Sequence, residues 1–474
     1  MFIFCLTILF NLDGPRTGRA ENAAGPVIEG AWTGTLEVMG TKLRIVFRAA
    51  KDQDGSWKTQ LDSPDQGAQG IPVNETIIRG DSLFFKVTAV AGAYEGLVQP
   101  DGITVKGTWK QGGMSFPLEL TRTGQAPVVN RPQEPKPPFP YRQEEVAFMN
   151  GKAGITLSGT LTLPETGGPF TAVVMITGSG AQDRDEQIFG HRPFWVIADY
   201  LTRRGVAVLR YDDRGTGKST GDLSKATSVD LASDALSAVE FLKSRKDINH
   251  KKIGLAGHSE GAILAPMVAN QSRDVAFVIL LAGPGMTGEK LLYLQGAAVI
   301  RAQGIDETTV VKNETIQHKI FSVVMAEKDD AAAGKKLRDI LNDAMKEMTE
   351  EEKARTGFNE AMIDQQVQRV LSPWFRYFLS YDPLVELKRL RCPVLALWGE
   401  KDLQVPPNEN APPVEEALKM AGNKKAMIKV LPGLNHLFQT SATGSVTEYG
   451  SIEETFSPTA LAVIGDWIAE RIGK

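Results

Sequence analysis

Two kinds of hydrophobic pattern divide the chain. From about residue 143 onward, short and nearly continuous apolar runs alternate with stretches of helical period. The runs TAVVMITG, GVAVLRYD, KKIGLAGH, VAFVILLAG, CPVLALWG and KAMIKVLPG read as strands covered on both faces. Between them, FWVIADYLTRRG, DLASDALSAVEFLKSR and AILAPMVANQ carry helical patterns, and PTALAVIGDWIAERI closes the chain as a last helix. This alternation predicts an α/β fold with a mostly parallel sheet between helices, led by a hairpin strand, ITLSGTLTLP.

One segment breaks the rhythm. About 110 residues between VAFVILLAG and CPVLALWG contain charged amphipathic helices, such as KKLRDILNDAMKEM, and no convincing strand. A helical cap over about residues 285–380 is expected on the side of the sheet where ligands bind. The alternative is an outer bundle that touches no substrate.

Residues 27–122 show a different pattern: GTLEV, LRIVFRAA, SLFFKV, AYEGLV, ITVKGTW and FPLEL, separated by turns such as Asp54-Gly55, Asp101-Gly102 and Gly112-Gly113. They predict a small all-β domain, barrel or sandwich, serving either as a binding unit or as a packing module. Residues 123–141, TGQAPVVNRPQEPKPPFPY, are rich in proline, which fixes φ and removes amide donors, so a linker is expected there. The catalytic unit then runs over 142–474.

The chain opens with MFIFCLTILF, too short an apolar run to span a bilayer, followed by a polar stretch ending at Ala20. That is the layout of a signal peptide over residues 1–22, without the usual positive leading region. Export to the periplasm or medium is the expectation. A cytoplasmic protein and a retained N-terminal anchor are the alternatives; stable membrane insertion is not expected. Of two cysteines, Cys5 would leave with the signal and Cys392 would stand alone as a small buried hydrophobe, so no disulfide forms within the mature chain. Lys and Arg number 53 against 57 Asp and Glu, for a net charge of -4. This offers no general attraction to nucleic acid, and nothing in these totals reads out an oligomeric state.

The sharpest local signal is Gly257-His258-Ser259-Glu260-Gly261. It directly follows the apolar run IGLA and precedes a helix candidate, the strand–turn–helix setting in which Gly-x-Ser-x-Gly presents a nucleophile. Ser259 is therefore the nucleophile candidate. Among five histidines, His436 in LPGLNHLF follows a late strand, where the base of a Ser…Asp…His order arrives. His258 adjoins the serine and reads as a packed or hydrogen-bonded support. The orienting acid should end the strand between them; Asp402 in WGEKDLQVPP is preferred, with Glu400 as runner-up. Backbone amides should hold the oxyanion: Glu260, after the nucleophile, and Ser179, with Gly180 close behind, in Thr177-Gly178-Ser179-Gly180. Two further polar loops, Asp183-Arg184-Asp185-Glu186 and Tyr211 to Ser219, fail the phosphate-loop patterns and read as paired charges around the site. Trp374, Phe375 and Phe378, where the cap returns to the core, are candidates for a substrate pocket or for cap-to-core packing.

Taken together, GHSEG, ITGSGAQDRDE, YDDRGTGKST, SPWFRYFLSYDP, LWGEKDLQVPP and PGLNHLF resemble the α/β-hydrolase superfamily, and within it the bacterial carboxylesterases related to serine aminopeptidases. The resemblance covers about residues 143–474. It implies an esterase with a helical cap that needs no cofactor and no metal, acting on small ester substrates through Ser259, Asp402 and His436. Many relatives begin the first oxyanion loop with His-Gly where this chain has Thr177-Gly178, and the motif closes on Gly261-Ala262 rather than two glycines. A serine peptidase or amidase on the same triad, and a non-catalytic ligand-binding protein, are the competing expectations.

Overall fold

The computed structural model describes residues 28–471, apart from 39–40, 53–54, 67, 112–113, 124–129, 350–352 and 354–357. The expected signal at 1–22, and Cys5 within it, lie outside these residues.

The first part is built from nine antiparallel strands: β1 (Gly30–Val38), β2 (Thr41–Lys51), β3 (Trp57–Ser63), β4 (Ala68–Pro72), β5 (Glu75–Arg79), β6 (Ser82–Val87), β7 (Gly92–Val98), β8 (Thr104–Gln111) and β9 (Met114–Thr123). They form one sheet in the order β4-β3-β2-β1-β9-β8-β7-β6-β5. Alternation drives the burial: in SLFFKV, Leu83, Phe85 and Val87 turn inward. Phe47 on β2 meets Phe85 on β6, ring centroids 4.5 Å apart, although four strands lie between them in the sheet. The sheet is therefore curled into a half-barrel around Trp32, Phe47, Phe85, Tyr94 and Trp109 rather than split into two stacked layers.

The described part of the proline-rich stretch is bound along the catalytic unit. Arg131 donates to the main-chain carbonyls of Phe189, Gly190, Gly450 and Ile452. The Gln133 side-chain carbonyl accepts from the amides of Thr455 and Phe456. The half-barrel itself touches the same region: a Cβ on Gly450 would lie 1.9 Å from the Asp65 carbonyl oxygen, so only glycine permits this approach.

The second sheet has eight strands: β10 (Tyr141–Asn150), β11 (Ile155–Pro164), β12 (Phe170–Ile176), β13 (Val206–Tyr211), β14 (Ile248–His258), β15 (Val275–Leu281), β16 (Val394–Gly399) and β17 (Ala426–Leu431). Their order is β10-β11-β13-β12-β14-β15-β16-β17. β10 and β11 are antiparallel, β11 meets β13 antiparallel, and the rest run parallel. Every position of β13 and β16 is buried, as expected of strands covered on both faces. KAMIKVLPG departs from that expectation. Its strand, β17, closes the sheet among the described residues, and Lys429 and Val430 on this edge strand are exposed.

Helices α1 (Pro193–Arg203), α2 (Ser228–Lys243) and α3 (Gly261–Gln271) connect the central strands. The insertion between β15 and β16 is helical: α4 (Gly288–Ala302), α5 (Glu307–Ala326), α6 (Asp330–Glu347), α7 (Glu360–Val370), α8 (Pro373–Ser380) and α9 (Leu384–Leu387). Asp306, Asp329, Asn359 and Ser372 cap α5, α6, α7 and α8, each accepting a first-turn amide. Helices α10 (Pro407–Met420) and α11 (Pro458–Arg471) complete the unit. No helix among the described residues is long and apolar enough to cross a membrane.

Candidate active site

The site forms where β14 turns into α3. Ser259 has φ of 53°, a left-handed conformation that is costly for a side chain with a Cβ, about 1–3 kcal/mol. The Ser259 amide donates to the Leu281 carbonyl on β15, and its carbonyl accepts from the Ala262 amide at 3.0 Å. The turn is so tight that a Cβ on Gly257 would lie 2.0 Å from the Gly261 carbonyl oxygen. His258 and Glu260 are buried, whereas Ser259 between them is partly exposed.

Two loops from the far side of the sheet complete the arrangement. After β16 the chain brings Asp402 inward, 2% exposed, where its Oδ1 accepts from the amides of Gln404 and Val405, both at 2.8 Å. Its Oδ2 lies 2.8 Å from Nδ1 of the buried His436, on the loop after β17. Glu400 is exposed and accepts from the Gly433 amide instead. With Nδ1–H given to Asp402, neutral His436 carries its lone pair on Nε2, the tautomer a general base needs. His436 is joined to the elbow through His258: the His258 Nε2 is 3.0 Å from the His436 carbonyl oxygen, and the two rings lie 4.8 Å apart.

The loop after β12 passes against the serine, since a Cβ on Gly178 would lie 3.4 Å from Ser259 Cβ. The Gly178 amide donates to Glu186 Oε1 at 2.7 Å, and Ser179 and Gly180 follow it, both partly exposed. Asp213 holds the same loop from behind, accepting from Thr177 Oγ1 at 2.8 Å and from the Gln182 amide at 3.0 Å. Burial pushes the Asp213 carboxyl well above the usual range; its hydrogen bonds oppose this, while the charges of Glu260 and Glu186 add to it.

The Glu260 side chain turns away from solvent. Its Oε1 accepts from Ser228 Oγ at 2.6 Å and from the Trp374 indole N–H at 2.7 Å. Its Oε2 is buried without a hydrogen-bond partner among the described residues, and burial raises the carboxyl above its ordinary value. Trp374 stacks on Phe378 with centroids 5.1 Å apart, so α8 of the insertion rests directly on the elbow. Phe375 points the other way, into the cap interior against Phe321.

The paired charges around the site have definite partners. Arg184 bonds Asp212 and Glu145, Arg210 pairs with Asp185, and Arg214 pairs with Asp234. Glu186 is the member that sequence reasoning left unassigned and that touches the site most directly. The acid-rich run in the loop after β12 was its signal. Its partner His258 lies 72 positions away, and no local pattern links them.

The chain matches the family described as X-Pro dipeptidyl-peptidase (S15 family) over residues 153–425, more than half its length. Among curated proteins it is similar to the esterase EstD of Thermotoga maritima, 28% identical over 286 residues, which are 59% of this chain and 58% of that protein. It is also similar to the uncharacterized protein YfhR of Escherichia coli O157:H7, 31% identical over 145 residues, 30% of this chain and 48% of that one. The chain thus spans about half the length of the curated relatives it matches. Among solved structures, the α/β hydrolase GrgF from Penicillium sp. sh18 superposes with a TM-score of 0.44 at 19% identity, covering 70% of this chain and 100% of that one. A Pyrococcus furiosus esterase, Pf2001, gives 0.43 at 16% identity, covering 73% and 99%. With its family match running from β11 through α10 and taking in the elbow and Asp402, this chain belongs to the S15 X-Pro dipeptidyl-peptidase family of the α/β-hydrolase superfamily.

Proposed function

We propose that the protein is a serine carboxylesterase acting on short- to medium-chain acyl esters, with Ser259 as nucleophile, His436 as base and Asp402 as the acid that orients it. The observation that carries this reading is the buried Asp402–His436 pair tied by His258 to a serine in left-handed backbone conformation at a strand–helix turn. In this reading, His436 Nε2 takes the Ser259 hydroxyl proton as Oγ attacks the ester carbonyl. The tetrahedral oxyanion is held by the amides of Glu260 and Ser179, the Gly178 amide being committed to Glu186. Imidazolium then protonates the leaving alcohol, and water repeats the sequence on the acyl-enzyme. Trp374, Phe378 and the cap would line the acyl side, and the similarity to a Thermotoga esterase supports ester chemistry.

A second reading has its own support: the family description names a dipeptidyl-peptidase, so amide or peptide hydrolysis on the same triad competes. A panel of p-nitrophenyl acyl esters beside aminoacyl and X-Pro amides separates the two. Under both readings, a fluorophosphonate probe labels the wild-type protein and not Ser259→Ala. An unlabelled wild-type protein would overturn the triad and favour a non-catalytic ligand-binding role.

A further inference from the structure

We propose that His258 is a positioning residue that acts as an imidazolium, bracing the oxyanion loop and the base loop against each other across the nucleophile. The inference rests on the triad reading above and deepens it.

The geometry favours the charged ring beside an ionised Glu186. His258 Nδ1 lies 2.9 Å from Glu186 Oε1, and Nε2 lies 3.0 Å from the His436 carbonyl oxygen. A carboxylate and a main-chain carbonyl both accept and neither donates. A neutral imidazole has one N–H and satisfies one of them, leaving its bare nitrogen against an oxygen lone pair in a buried place. With Glu186 ionised, only the doubly protonated ring satisfies both. The ring is 7% exposed, so water does not supply the missing proton donor.

The surrounding charges agree. Burial alone would lower the pKa of His258, but the charge of Glu186, the hydrogen bond to it, the His436 carbonyl and the charge of Asp402 outweigh burial and raise it. The groups facing the ring are Glu186 from the loop after β12, Asp402 from the loop after β16, and the His436 ring at 4.8 Å. Glu260 and Asp213 are the next acids beyond Glu186. Among the described residues no Arg or Lys bonds Glu186; its Oε1 receives the Gly178 amide and His258.

The mechanical consequence follows from the connectivity. A continuous path runs from the Gly178 amide to Glu186 Oε1, to the His258 ring, to the His436 main chain, and through the His436 ring to Asp402. One end sits beside the oxyanion donors, and the other reaches the triad's acid through its base. Because His258 is the residue before Ser259, the nucleophile is held in the middle of the brace. Loss of the central imidazolium frees both loops to drift relative to the serine, and a drift of about 1 Å costs on the order of 10²-fold in rate.

The test uses the full chain, uniformly labelled at histidine nitrogen, as wild type, His258→Gln and Glu186→Gln. One 15N histidine signal should report both nitrogens protonated at about pH 7.5, where an ordinary histidine is mostly neutral. It should be missing from His258→Gln and lose its second proton at lower pH in Glu186→Gln, which keeps the acceptor but not the charge. In ester turnover, His258→Gln should lower kcat about 10²-fold with KM little changed. The alkaline fall of kcat in Glu186→Gln should begin at lower pH than in wild type. A histidine spectrum with only neutral rings at that pH overturns the proposal, as does wild-type kcat and pH profile in His258→Gln. If His258→Gln fails to fold, the Glu186→Gln shift in the 15N titration and in the alkaline limb decides alone. Failure of the triad reading is separately visible, because fluorophosphonate would then not label wild-type Ser259 whatever the histidine spectrum shows.

Discussion

Asp402→Asn puts the tautomer of His436 to the test. Asp402 Oδ1 serves two amides, Gln404 and Val405, while Oδ2 serves His436 Nδ1, all three contacts at 2.8 Å. Asparagine has one acceptor. Turning its NH2 toward the two amides would leave those buried donors unsatisfied, at about 1–3 kcal/mol each. The cheaper arrangement keeps its oxygen on the amides and faces NH2 toward Nδ1. Two donors cannot share that contact, so the imidazole proton moves to Nε2, the atom that must accept the serine proton. Loss of this orienting carboxylate in a serine triad lowers kcat about 10⁴-fold, which is about 5.5 kcal/mol at 1.36 kcal/mol per decade. The loop keeps both amide bonds, so Tm should shift by no more than about 2–4 °C. Turnover of p-nitrophenyl butyrate and a thermal melt on the same preparation give both numbers. Turnover within about tenfold of wild type would refute the reasoning. So would a loss of activity that merely tracks a loss of folded protein.

Two further outcomes follow from the buried Glu260. Its folded pKa lies above the ordinary value, so its contribution to stability is present at low pH and lost as pH rises through that raised pKa. Glu260→Gln cannot ionise, so its Tm relative to wild type should climb from about pH 5 to pH 8, by about 2–4 °C for each kcal/mol relieved; a flat difference across that range contradicts the burial argument. Trp374→Phe keeps the ring stack on Phe378 but removes the indole donor to Glu260. A loosened cap should raise KM for the longer acyl esters, with a stability loss of about 1–3 kcal/mol for the unmade bond, and an unchanged chain-length profile would mean that α8 takes no part in acyl selection.

Local signals made the elbow legible. An apolar strand run ending at His258, a serine between glycines and an apolar helix after it are contiguous, and the strained φ of Ser259 follows from that order. The pairing of His436 with Asp402 rather than Glu400 was readable as a preference, because a residue two positions deeper in the loop can turn back to the ring. What stayed illegible depended on contacts distant in sequence. The Glu186–His258 pair joins two loops whose only local hints are an acidic run and a histidine beside a serine. Phe47 against Phe85 settles barrel over sandwich, yet alternation within each strand is the same in both. KAMIKVLPG carries the apolar content of an inner strand, and only its place in the sheet order leaves Lys429 and Val430 in water. Proline content points to a segment outside the sheets but says nothing of the surface it lies on, which is why the bonds of Arg131 and Gln133 could not be foreseen.

Those bonds change where the molecule divides. Arg131 and Gln133 grip residues 450–456; Glu454, inside that stretch, accepts from Gln439, and Gln439 is bonded to Asn435, the neighbour of His436. The stretch that looks like a tether therefore works as a splint behind the loop of His436. Trimming the chain at residue 123 removes the half-barrel and leaves the splint in place, whereas trimming at residue 141 takes away the support of the loop that carries His436, the proposed base, more than 290 positions downstream. The structural border of the α/β unit thus lies upstream of its first strand.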